Sequence, residues 1–504
     1  MGILVLMSKL IYKKADTYTG MAFSLIIILL NNPYSVFDIG FQLSYLATLG
    51  IIFFNSIIFK FLYNNKHSKF KYFKEIISLS ISSQIFIIPI FAYIFNKISI
   101  NFIISNILAT PIFVVTILLG ILTLILGFCF DFIGKILSIP LNWALQLLIF
   151  ISEIIGKSEW GNLTVIRPNF MICLFYYIFF LLLKKYHNIV SKNEIWEFLN
   201  SFEKKEIIFI KKLENKKEQI TKLIFVLCLF LVIISSIYIF SPKSLEIDFI
   251  DVGQGDCTFI KTYKNKTILV DGGGNMDGNF DVGKNTVVPY LLAKGTMKID
   301  YLIISHFDTD HVGGLFEVLR KIKVKNIIIG TQPEWSKNYQ DFIELAKMKQ
   351  IKVITVERGN TLDIDSHTKI IVLFPTKIKI SENAINNNCL VFKLTYKKFS
   401  IFFTGDIESI AEKSIIKNDD NLKSTVLKVA HHGSKSSSTD KFIALVQPKI
   451  ALIGVGKNNL FGHPNKEVID RLEKNKAKIY RTDKNGEIKI KTNGYKFSIE
   501  PKIK

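Results

Sequence analysis

Residues 305–314 read Ser-His-Phe-Asp-Thr-Asp-His-Val-Gly-Gly and follow the apolar segment 301–304, which is typical of a buried strand. Two imidazoles and two carboxylates fall within six residues at the end of this strand. Both groups bind divalent metals, and their density predicts a site for two ions rather than one. The chain has eight histidines, and five of them lie in three short motifs of the C-terminal half. A solvated polar loop would scatter them, so we interpret the stretch as part of a metal centre.

Composition divides the chain into two parts. At 504 residues it is too long for one hydrophobic core, so two or more domains are expected. Hydrophobic residues make up 49% of the chain, and the long Ile-, Leu- and Phe-rich runs lie in residues 1–241. The net charge of +22 comes almost entirely from lysine, which fits the coding bias of an AT-rich genome and gives only weak support for a polyanionic partner. The five cysteines have no paired spacing and predict neither disulfides nor a cysteine-based zinc site.

The N-terminal half predicts a multi-pass α-helical membrane domain. Seven apolar segments are candidate membrane spans, at residues 17–38, 39–61, 75–97, 101–130, 131–156, 169–183 and 222–241. Pro111 predicts a kink or a short preceding helix in the fourth segment. The fifth contains Asp131, Lys135 and Pro140, which leaves open a position partly in the membrane interface.

The placement of lysines predicts the orientation of these spans. Lysines are dense at 13–14, in the loop 62–74 and in the loop 184–221. The positive-inside rule assigns all three to the cytoplasm, which seven crossings satisfy. We therefore expect a cytoplasmic-membrane protein whose C-terminal domain is extracellular. The predicted domains are a membrane domain at 1–190, a basic cytoplasmic loop at 191–221, a last transmembrane helix at 222–241 and a soluble domain at 242–504.

Short strand patterns alternate with helical patterns in the soluble half, which predicts a layered α/β sandwich. Strands are predicted at 245–251, 257–262, 266–271, 301–305, 325–329, 352–356, 368–374, 389–395, 399–404, 425–430, 449–454 and 478–482, and helices at 312–322 and 339–349. Several of these strands end in a carboxylate or an imidazole, namely Asp271, the 305–314 motif, Asp406 and His431-His432. Their recurrence predicts that they meet on one rim of the sandwich, joined by His463 on its Gly-His-Pro loop.

The segment 31–50 places a carboxylate, Asp38, and an amide, Gln42, close to membrane depth. Such groups either face a cavity or lie in an interfacial loop between two helices. The segment, Asn-Asn-Pro-Tyr-Ser-Val-Phe-Asp-Ile-Gly-Phe-Gln-Leu-Ser-Tyr-Leu-Ala-Thr-Leu-Gly, resembles the signature of the competence domain of the ComEC family, which are membrane channels for DNA uptake in naturally transformable bacteria. The stretch from Ser82 through Pro89 to residues 106–111 is also similar to that family.

The resemblance covers the second half of the family's membrane domain. Members of the family usually carry an N-terminal soluble domain and several earlier helices, for which this chain has no counterpart. We therefore expect a fragment, a split gene or a shortened homologue.

Residues 245 to about 495 resemble the metallo-β-lactamase superfamily, specifically its ComEC-type branch, which implies an αββα sandwich. The resemblance implies metal ligation by His306, Asp308, Asp310, His311, Asp406 and His431, with Asp406 bridging two ions. The superfamily more often has histidine in place of Asp308. A carboxylate oxygen at this position favours Mn²⁺ or Mg²⁺ relative to Zn²⁺, although the general order of metal affinities still favours zinc. The histidine that members often carry before the bridging aspartate has no good counterpart, because His367 lies in a polar turn. One of the two sites is therefore expected to bind its metal ion less tightly than the other.

The same resemblance implies that two divalent ions activate water to attack a phosphodiester. Asp310 is predicted to orient this water, and His463 to contact the phosphate or to protonate the leaving oxygen. His432 and Ser434 are predicted to orient ligands or to contact substrate. The nearby carboxylates Asp251, Asp256 and Asp271 are expected to support the site rather than to bind metal directly.

For the whole protein the resemblance implies DNA import, in which the membrane domain conducts one strand and the external domain hydrolyses the other or clears the entrance. No nucleotide-binding loop of the G-x-x-x-x-G-K-[ST] type occurs, so a cytosolic motor and a DNA receptor are expected to be separate partners. Homo-oligomerisation is left open.

Three alternatives remain: a membrane-anchored hydrolase of another phosphodiester or ester, a transport or binding protein with a structural metal site, and a non-functional truncated homologue. Seven spans argue against a simple anchor.

Overall fold

The computed structural model describes residues 17–62, 71–157, 161–190, 244–275, 280–333, 336–418, 421–457 and 459–503, with isolated positions between 219 and 231. The chain divides into two compact units, Met1–Ile239 and Phe240–Lys504. The described helices of the N-terminal unit are α1 (Thr17–Asn31), α2 (Ile39–Leu62), α3 (Lys71–Phe95), α4 (Phe102–Cys129), α5 (Asp131–Lys157) and α6 (Phe170–Val190). Two short antiparallel strands, β1 (Lys97–Ser99) and β2 (Asn162–Thr164), pair within this unit.

Four of the described helices are long and apolar enough to cross a membrane, at Ile39–Leu62, Tyr72–Phe95, Phe102–Cys129 and Asp131–Gly156. Their positions match four of the seven predicted segments. The prediction of a span at 17–38 is wrong in extent, because α1 ends at Asn31 and a 3₁₀ turn follows at Pro33–Phe37. The apolar part of α6 is shorter than a full span, and most of the segment 222–241 lies outside the described residues.

Polar residues of the competence-like segment build the turn between α1 and α2. The Asn32 side chain accepts a hydrogen bond from the backbone of Tyr34, and Asp38 Oδ1 accepts one from the Phe41 amide at 2.8 Å, which caps the start of α2. Gln42 Nε2 donates to the Val36 carbonyl at 2.8 Å. The segment therefore forms a capped turn that connects two helices.

Small and hydroxylated side chains bring the membrane helices close together. A Cβ added to Gly50 of α2 would lie 2.3 Å from the carbonyl oxygen of Ser82 on α3, so the two backbones touch. On the same helix pair, Ser78 Oγ and Asn55 Oδ1 are 2.7 Å apart. Helix α4 runs continuously from Phe102 through Pro111, so of the two alternatives predicted for this segment, a kink or a short preceding helix, the short preceding helix does not form.

The C-terminal unit contains two sheets. The first has eight strands in the order β17-β16-β3-β4-β5-β6-β7-β8, and the second has seven in the order β15-β14-β13-β12-β11-β10-β9. The strands of the first sheet are β3 (Leu245–Phe249), β4 (Thr258–Lys261), β5 (Thr267–Val270), β6 (Lys298–Ile304), β7 (Lys323–Gly330), β8 (Lys352–Val356), β16 (Ile488–Thr492) and β17 (Phe497–Pro501). Those of the second are β9 (Thr361–Asp363), β10 (Thr368–Phe374), β11 (Val391–Tyr396), β12 (Phe399–Phe403), β13 (Val426–Lys428), β14 (Ile450–Ile453) and β15 (Lys478–Arg481).

Helices cover the outer faces of both sheets. They are α7 (Val288–Ala293), α8 (Thr309–Val312), α9 (Leu315–Lys321), α10 (Lys337–Met348), α11 (Ser409–Asn418), α12 (Asp440–Val446), α13 (Lys466–Lys474) and α14 (Thr482–Asn485). One buried cluster fills the space between the sheets, with Phe249 and Phe392 fully enclosed, and a further cluster lies under the helices of each sheet. Burial of such a side chain contributes about 1.5–3 kcal/mol. The predicted αββα sandwich is confirmed.

Each sheet contains a parallel part whose strands end at the candidate site. Strands β5 to β8 pair in parallel in the first sheet, and β12 to β15 do so in the second. The chain leaves β5 at Asp271, β6 at Ser305, β12 at Thr404 and β13 at Val429. Carboxyl ends of parallel strands are the usual position of sites in such folds, and here both sheets supply them.

Candidate metal centre

Four buried side chains converge where the two sheets meet. One ligand atom from each of Asp256, His311, Asp406 and His432 lies within 4.8 Å of the others. The Nε2 atoms of His311 and His432 are each 3.3 Å from an oxygen of Asp406. Asp310 Oδ2 lies 3.2 Å from His432 Nε2 and joins the same cluster. Imidazole nitrogens and carboxylate oxygens thus point to one small volume.

The sequence after β6 places His311, and a carboxylate behind it fixes its orientation. His311 Nδ1 lies 3.0 Å from Asp271 Oδ2. Asp271 also accepts hydrogen bonds from the amide and hydroxyl of Ser305, both at 2.8 Å. Because the carboxylate accepts, Nδ1 carries the hydrogen and donates it, which leaves the Nε2 lone pair of the neutral ring directed at the cluster. A carboxylate behind an imidazole is the usual support of a metal-binding histidine.

His432 is fixed in the same way by a backbone carbonyl. Its Nδ1 atom lies 2.7 Å from the Gly454 oxygen, which can only accept, so Nδ1 donates and the Nε2 lone pair of the neutral ring faces the cluster. The turn that carries this ring is strained, because His431 and His432 both have positive φ, at 50° and 53°. Each such residue costs about 1–3 kcal/mol, and this cost is common at functional sites.

His306 and Asp308 lie beside the four-residue cluster. The ring centroids of His306 and His311 are 4.1 Å apart, and His306 Nδ1 is 3.0 Å from Ser305 Oγ. Among the described residues, the buried Nε2 atom of His306 has no hydrogen-bond partner, although Asp308 Oδ2 lies 3.6 Å away. The Asp308 side chain is 37% exposed. A buried nitrogen without a partner is expected where a ligand is bound.

His431 lies near Asp406, and His463 packs beside His431. His431 Nε2 is 3.9 Å from Asp406 Oδ2, and its Nδ1 is 3.8 Å from Glu408 Oε1. Its ring centroid is 5.7 Å from that of His463, whose backbone is held by two hydrogen bonds to the Asn459 side chain. Of the two consecutive histidines, it is therefore His432 that lies closest to the cluster. The exposed His367 stacks on Tyr263, on the turn before β10.

A buried lysine, which the sequence analysis did not single out, balances part of the negative charge. Lys428 at the end of β13 forms an ion pair with Asp256, and its Nζ lies 3.4 Å from Asp406 Oδ1 and 3.1 Å from the Gly405 oxygen. All of these groups are buried. The signal in the sequence was a lysine inside an otherwise apolar strand, where a cation is retained only with a partner.

The backbone approaches the cluster closely at one glycine. Gly255 has a φ of 124°, and a Cβ there would lie 2.1 Å from the Asp310 carbonyl oxygen. The neighbouring Asp256 amide donates to that same oxygen at 3.3 Å. The Gly-Gln-Gly loop before β4 therefore holds Asp256 and Asp310 together because it lacks side chains at this point.

The cluster is electrostatically suited to a cation. Burial opposes ionisation of Asp406, but His432, His311 and Lys428 hold its pKa well below the usual range. Burial opposes charge on His432 as well, but Asp406 and Asp256 raise its pKa to about 10. Protons on the imidazoles thus neutralise the carboxylates, and a divalent ion would replace those protons. Nitrogen and oxygen donors of this kind suit Zn²⁺, Mn²⁺ or Mg²⁺.

His463 differs from these residues. Burial, together with the neighbouring His431 and His432, lowers the pKa of His463 to about 4. The ring is therefore neutral at pH 7, which disfavours the predicted role of proton donor to the leaving oxygen and leaves a hydrogen-bonding role.

Comparison with known proteins assigns both units. Residues 250–457 match the model of the metallo-β-lactamase superfamily, and residues 1–188 match that of competence proteins. The chain is similar to ComE operon protein 3 of Bacillus subtilis (strain 168), 27% identical over 98% of this chain and 61% of that protein. Competence protein ComA of Neisseria gonorrhoeae is 30% identical over 48% of this chain and 31% of its own length. The solved structure of CmlA, a diiron β-hydroxylase from Streptomyces venezuelae, aligns with a TM-score of 0.34, 12% identity and coverage of 50% of this chain and 55% of that one.

The sandwich and its His/Asp cluster define the C-terminal unit as a metallo-β-lactamase superfamily domain. Because residues 1–188 of the same chain match competence proteins, the chain combines the two domains that the resemblance to the ComEC family predicted, and its relatives include competence proteins. The chain spans 61% of the length of the Bacillus subtilis relative.

Proposed function

We propose that this chain takes part in DNA uptake across the cytoplasmic membrane during natural transformation, and that its C-terminal domain is a metal-dependent phosphodiesterase acting on DNA. The observation that carries the proposal is the convergence of buried imidazole and carboxylate ligand atoms within 4.8 Å at the meeting of the two sheets. The competence domain and the competence proteins among its relatives support the role in uptake.

The ions would be held by the sequence-predicted ligands His306, Asp308, Asp310, His311 and Asp406, joined by His432. We assign the late histidine ligand to His432 rather than to His431, because the Gly454 carbonyl fixes the ring of His432 with Nε2 toward Asp406. Bound divalent ions would neutralise phosphate oxygens and activate water as the nucleophile.

The protein's own residues would prepare this site for the reaction. Asp271 and the Gly454 carbonyl hold the rings of His311 and His432 in the tautomers that ligate metal. Asp310 would orient the attacking water through a carboxylate oxygen. His463, neutral at pH 7, would hydrogen-bond to a phosphate oxygen. The buried Lys428 would neutralise part of the negative charge of Asp256 and Asp406.

Lysine distribution supports a multi-pass protein of the cytoplasmic membrane with an extracellular hydrolase domain. We propose a membrane domain at 1–190, a cytoplasmic basic loop at 191–221, a last span at 222–241 and the hydrolase domain at 242–504. Single- or double-stranded DNA, the lipid bilayer, a DNA receptor and a cytosolic motor would be its partners. A reporter that is active only in the cytoplasm, fused after Lys504, is expected to be inactive; activity would reverse the orientation.

Hydrolysis of DNA by the purified full chain in detergent tests the proposal. Labelled single-stranded DNA is incubated with Mn²⁺, Zn²⁺ or Mg²⁺, in parallel with bis-p-nitrophenyl phosphate. We expect metal-dependent cleavage of DNA that is abolished in Asp310→Ala and Asp406→Ala and retained in the exposed control Asp341→Ala. Cleavage that survives in Asp406→Ala would contradict the assignment. Hydrolysis of the small ester alone would support the alternative of a membrane-anchored hydrolase with another substrate.

A further inference from the structure

A cleft of about 550 Å³ opens beside the metal centre. Its lining includes Asp310, the carboxylate that lies 3.2 Å from His432 Nε2, so the cleft is continuous with the cluster. Several separate segments contribute to its walls, among them residues 251–254, a segment containing Phe280 and Thr286, and residues 459–461. The volume lies in the range of pockets that bind small molecules or parts of larger ones.

Two exposed aromatic rings line this cleft. Phe280 is 50% exposed and Phe461 is 54% exposed. Within the described part of the C-terminal unit, they are the only phenylalanines with such exposure, and both belong to the same cleft. Since about half of each ring is exposed, leaving it in water forgoes roughly half of the ~1.5–3 kcal/mol that full burial of such a side chain contributes. Two such rings in a single cleft next to a candidate centre indicate a binding surface rather than an incidental patch.

The rest of the lining suits a nucleotide. Phe461 stacks on the His463 ring, with centroids 5.8 Å apart and planes at 27°, which fixes the Phe461 ring next to the cluster. The exposed Lys457 supplies a cation for a phosphate, and Gln254, whose Oε1 accepts a hydrogen bond from the Gly456 amide, supplies an amide nitrogen. Asp251 is a negative charge in the same lining, and its Oδ1 accepts a hydrogen bond from the Gly253 amide.

We propose that this cleft binds an unpaired nucleobase next to the scissile phosphate, with Phe461 and Phe280 as stacking surfaces. The proposal rests on the phosphodiesterase function proposed above and names its substrate class as single-stranded nucleic acid. A base in a duplex has its faces covered by its neighbours, whereas an unpaired base presents a face to an aromatic ring. Every base has such a face, so this contact selects for single strands and not for sequence.

The test compares a single-stranded oligodeoxynucleotide with an abasic strand of equal length and equal charge, both as substrates of the full chain in detergent with Mn²⁺. Stacking of one base is worth roughly 1–3 kcal/mol, so the ratio of kcat/KM for the two strands is expected to be about 5 to 150. In Phe461→Leu and Phe280→Leu, which keep the side chains apolar but remove the rings, the ratio is expected to fall toward one. The exposed Tyr495, on the turn between β16 and β17, gives the matched control Tyr495→Leu, which is expected to keep the wild-type ratio.

A binding assay tests the cleft assignment independently of hydrolysis. It measures the affinity for the same two strands by fluorescence anisotropy in the presence of a chelator. If no phosphodiester is cleaved but the base-bearing strand binds more tightly and loses this advantage in Phe461→Leu, the proposed phosphodiesterase fails and the cleft assignment stands. Equal binding and equal cleavage of the two strands would overturn the assignment. The assignment would also be overturned if Phe461→Leu kept the same ratio of kcat/KM between the two strands as the control Tyr495→Leu.

Discussion

The Nε2 atoms of His311 and His432 lie 3.3 Å apart, although 121 positions separate the two residues in the chain. One ring follows β6 of the first sheet and the other follows β13 of the second. Each is held from behind at Nδ1, by Asp271 and by the Gly454 carbonyl respectively. Two nitrogen lone pairs facing each other at this distance repel unless a positive charge lies between or beside them. The two halves of the sandwich therefore create a position that a proton or a metal ion must fill.

The two consecutive histidines are expected to differ in their effect on metal content. In His432→Ala a ligand atom that lies within 3.3 Å of both Asp310 and Asp406 is lost, so we expect loss of bound metal and at least a ~100-fold fall in kcat/KM. In His431→Ala, whose ring lies farther from Asp406, we expect metal content to be retained and activity to fall less. Elemental analysis of the purified variants measures this. If His431→Ala loses its metal while His432→Ala keeps it, the assignment is reversed.

Removing the charge behind His311 is expected to weaken metal binding without removing a ligand. In Asp271→Asn the acceptor for His311 Nδ1 becomes a neutral amide, and loss of such support typically costs about 10–100-fold in metal affinity. Competition with a fluorescent chelator measures the affinity, and the exposed Asp341→Asn is the control. An affinity equal to that of the control would show that Asp271 does not orient the ring.

The buried Lys428 is expected to contribute most to stability in the metal-free protein. Lys428→Met leaves Asp256 buried without its cation, and breaking a buried pair costs about 3–5 kcal/mol. A bound divalent ion would restore the missing positive charge, so added Mn²⁺ should raise Tm more in this variant than in the wild type. Lys435→Met, which removes an ion pair with the exposed Glu467, is expected to change stability much less, because solvent screens such a pair. Equal Tm values for the two variants without metal would contradict this account of Lys428.

Metal binding is expected to release protons. In the metal-free protein the pKa of His432 is raised from 6.5 to about 10, so its proton is present at pH 7 and must leave when a metal takes Nε2. Because the folded pKa is raised, the stability that the proton contributes is complete below pH 6.5 and is lost as the pH rises through about 10. The stabilisation by metal should therefore grow with pH over this range. Calorimetric titration in two buffers of different ionisation enthalpy measures the release, and an identical observed enthalpy in both would exclude it.

The sequence predicted much of the sandwich because most of its strands are short apolar runs bounded by turns. The strands at 352–356 and 368–374 were predicted at their observed bounds. The segment at 425–430 was predicted too long, since β13 ends at Lys428 and the chain turns sharply to present the two histidines. Strands β16 and β17 were missed, although the alternation Ile-Lys-Ile-Lys at 488–491 carries the signal of a half-buried strand.

The candidate centre was predictable in composition but not in detail. The motif at 305–314 and the strand-terminal positions of Asp406 and His432 follow from residue type and spacing. Which of the two adjacent histidines faces the cluster depends on their left-handed backbone and on the carbonyl of Gly454, and neither is visible in the sequence. The pairing of Lys428 with Asp256 depends likewise on the contact between two sheets that are distant in sequence.

The most direct test of the central claim is anomalous X-ray scattering from crystals of the protein grown with Mn²⁺ or Zn²⁺. We predict an anomalous peak within coordinating distance of His311 Nε2, His432 Nε2 and an oxygen of Asp406, and no such peak in crystals of Asp406→Ala. A peak elsewhere, or a wild-type centre that stays empty at millimolar metal, would contradict the claim that these side chains form a metal site.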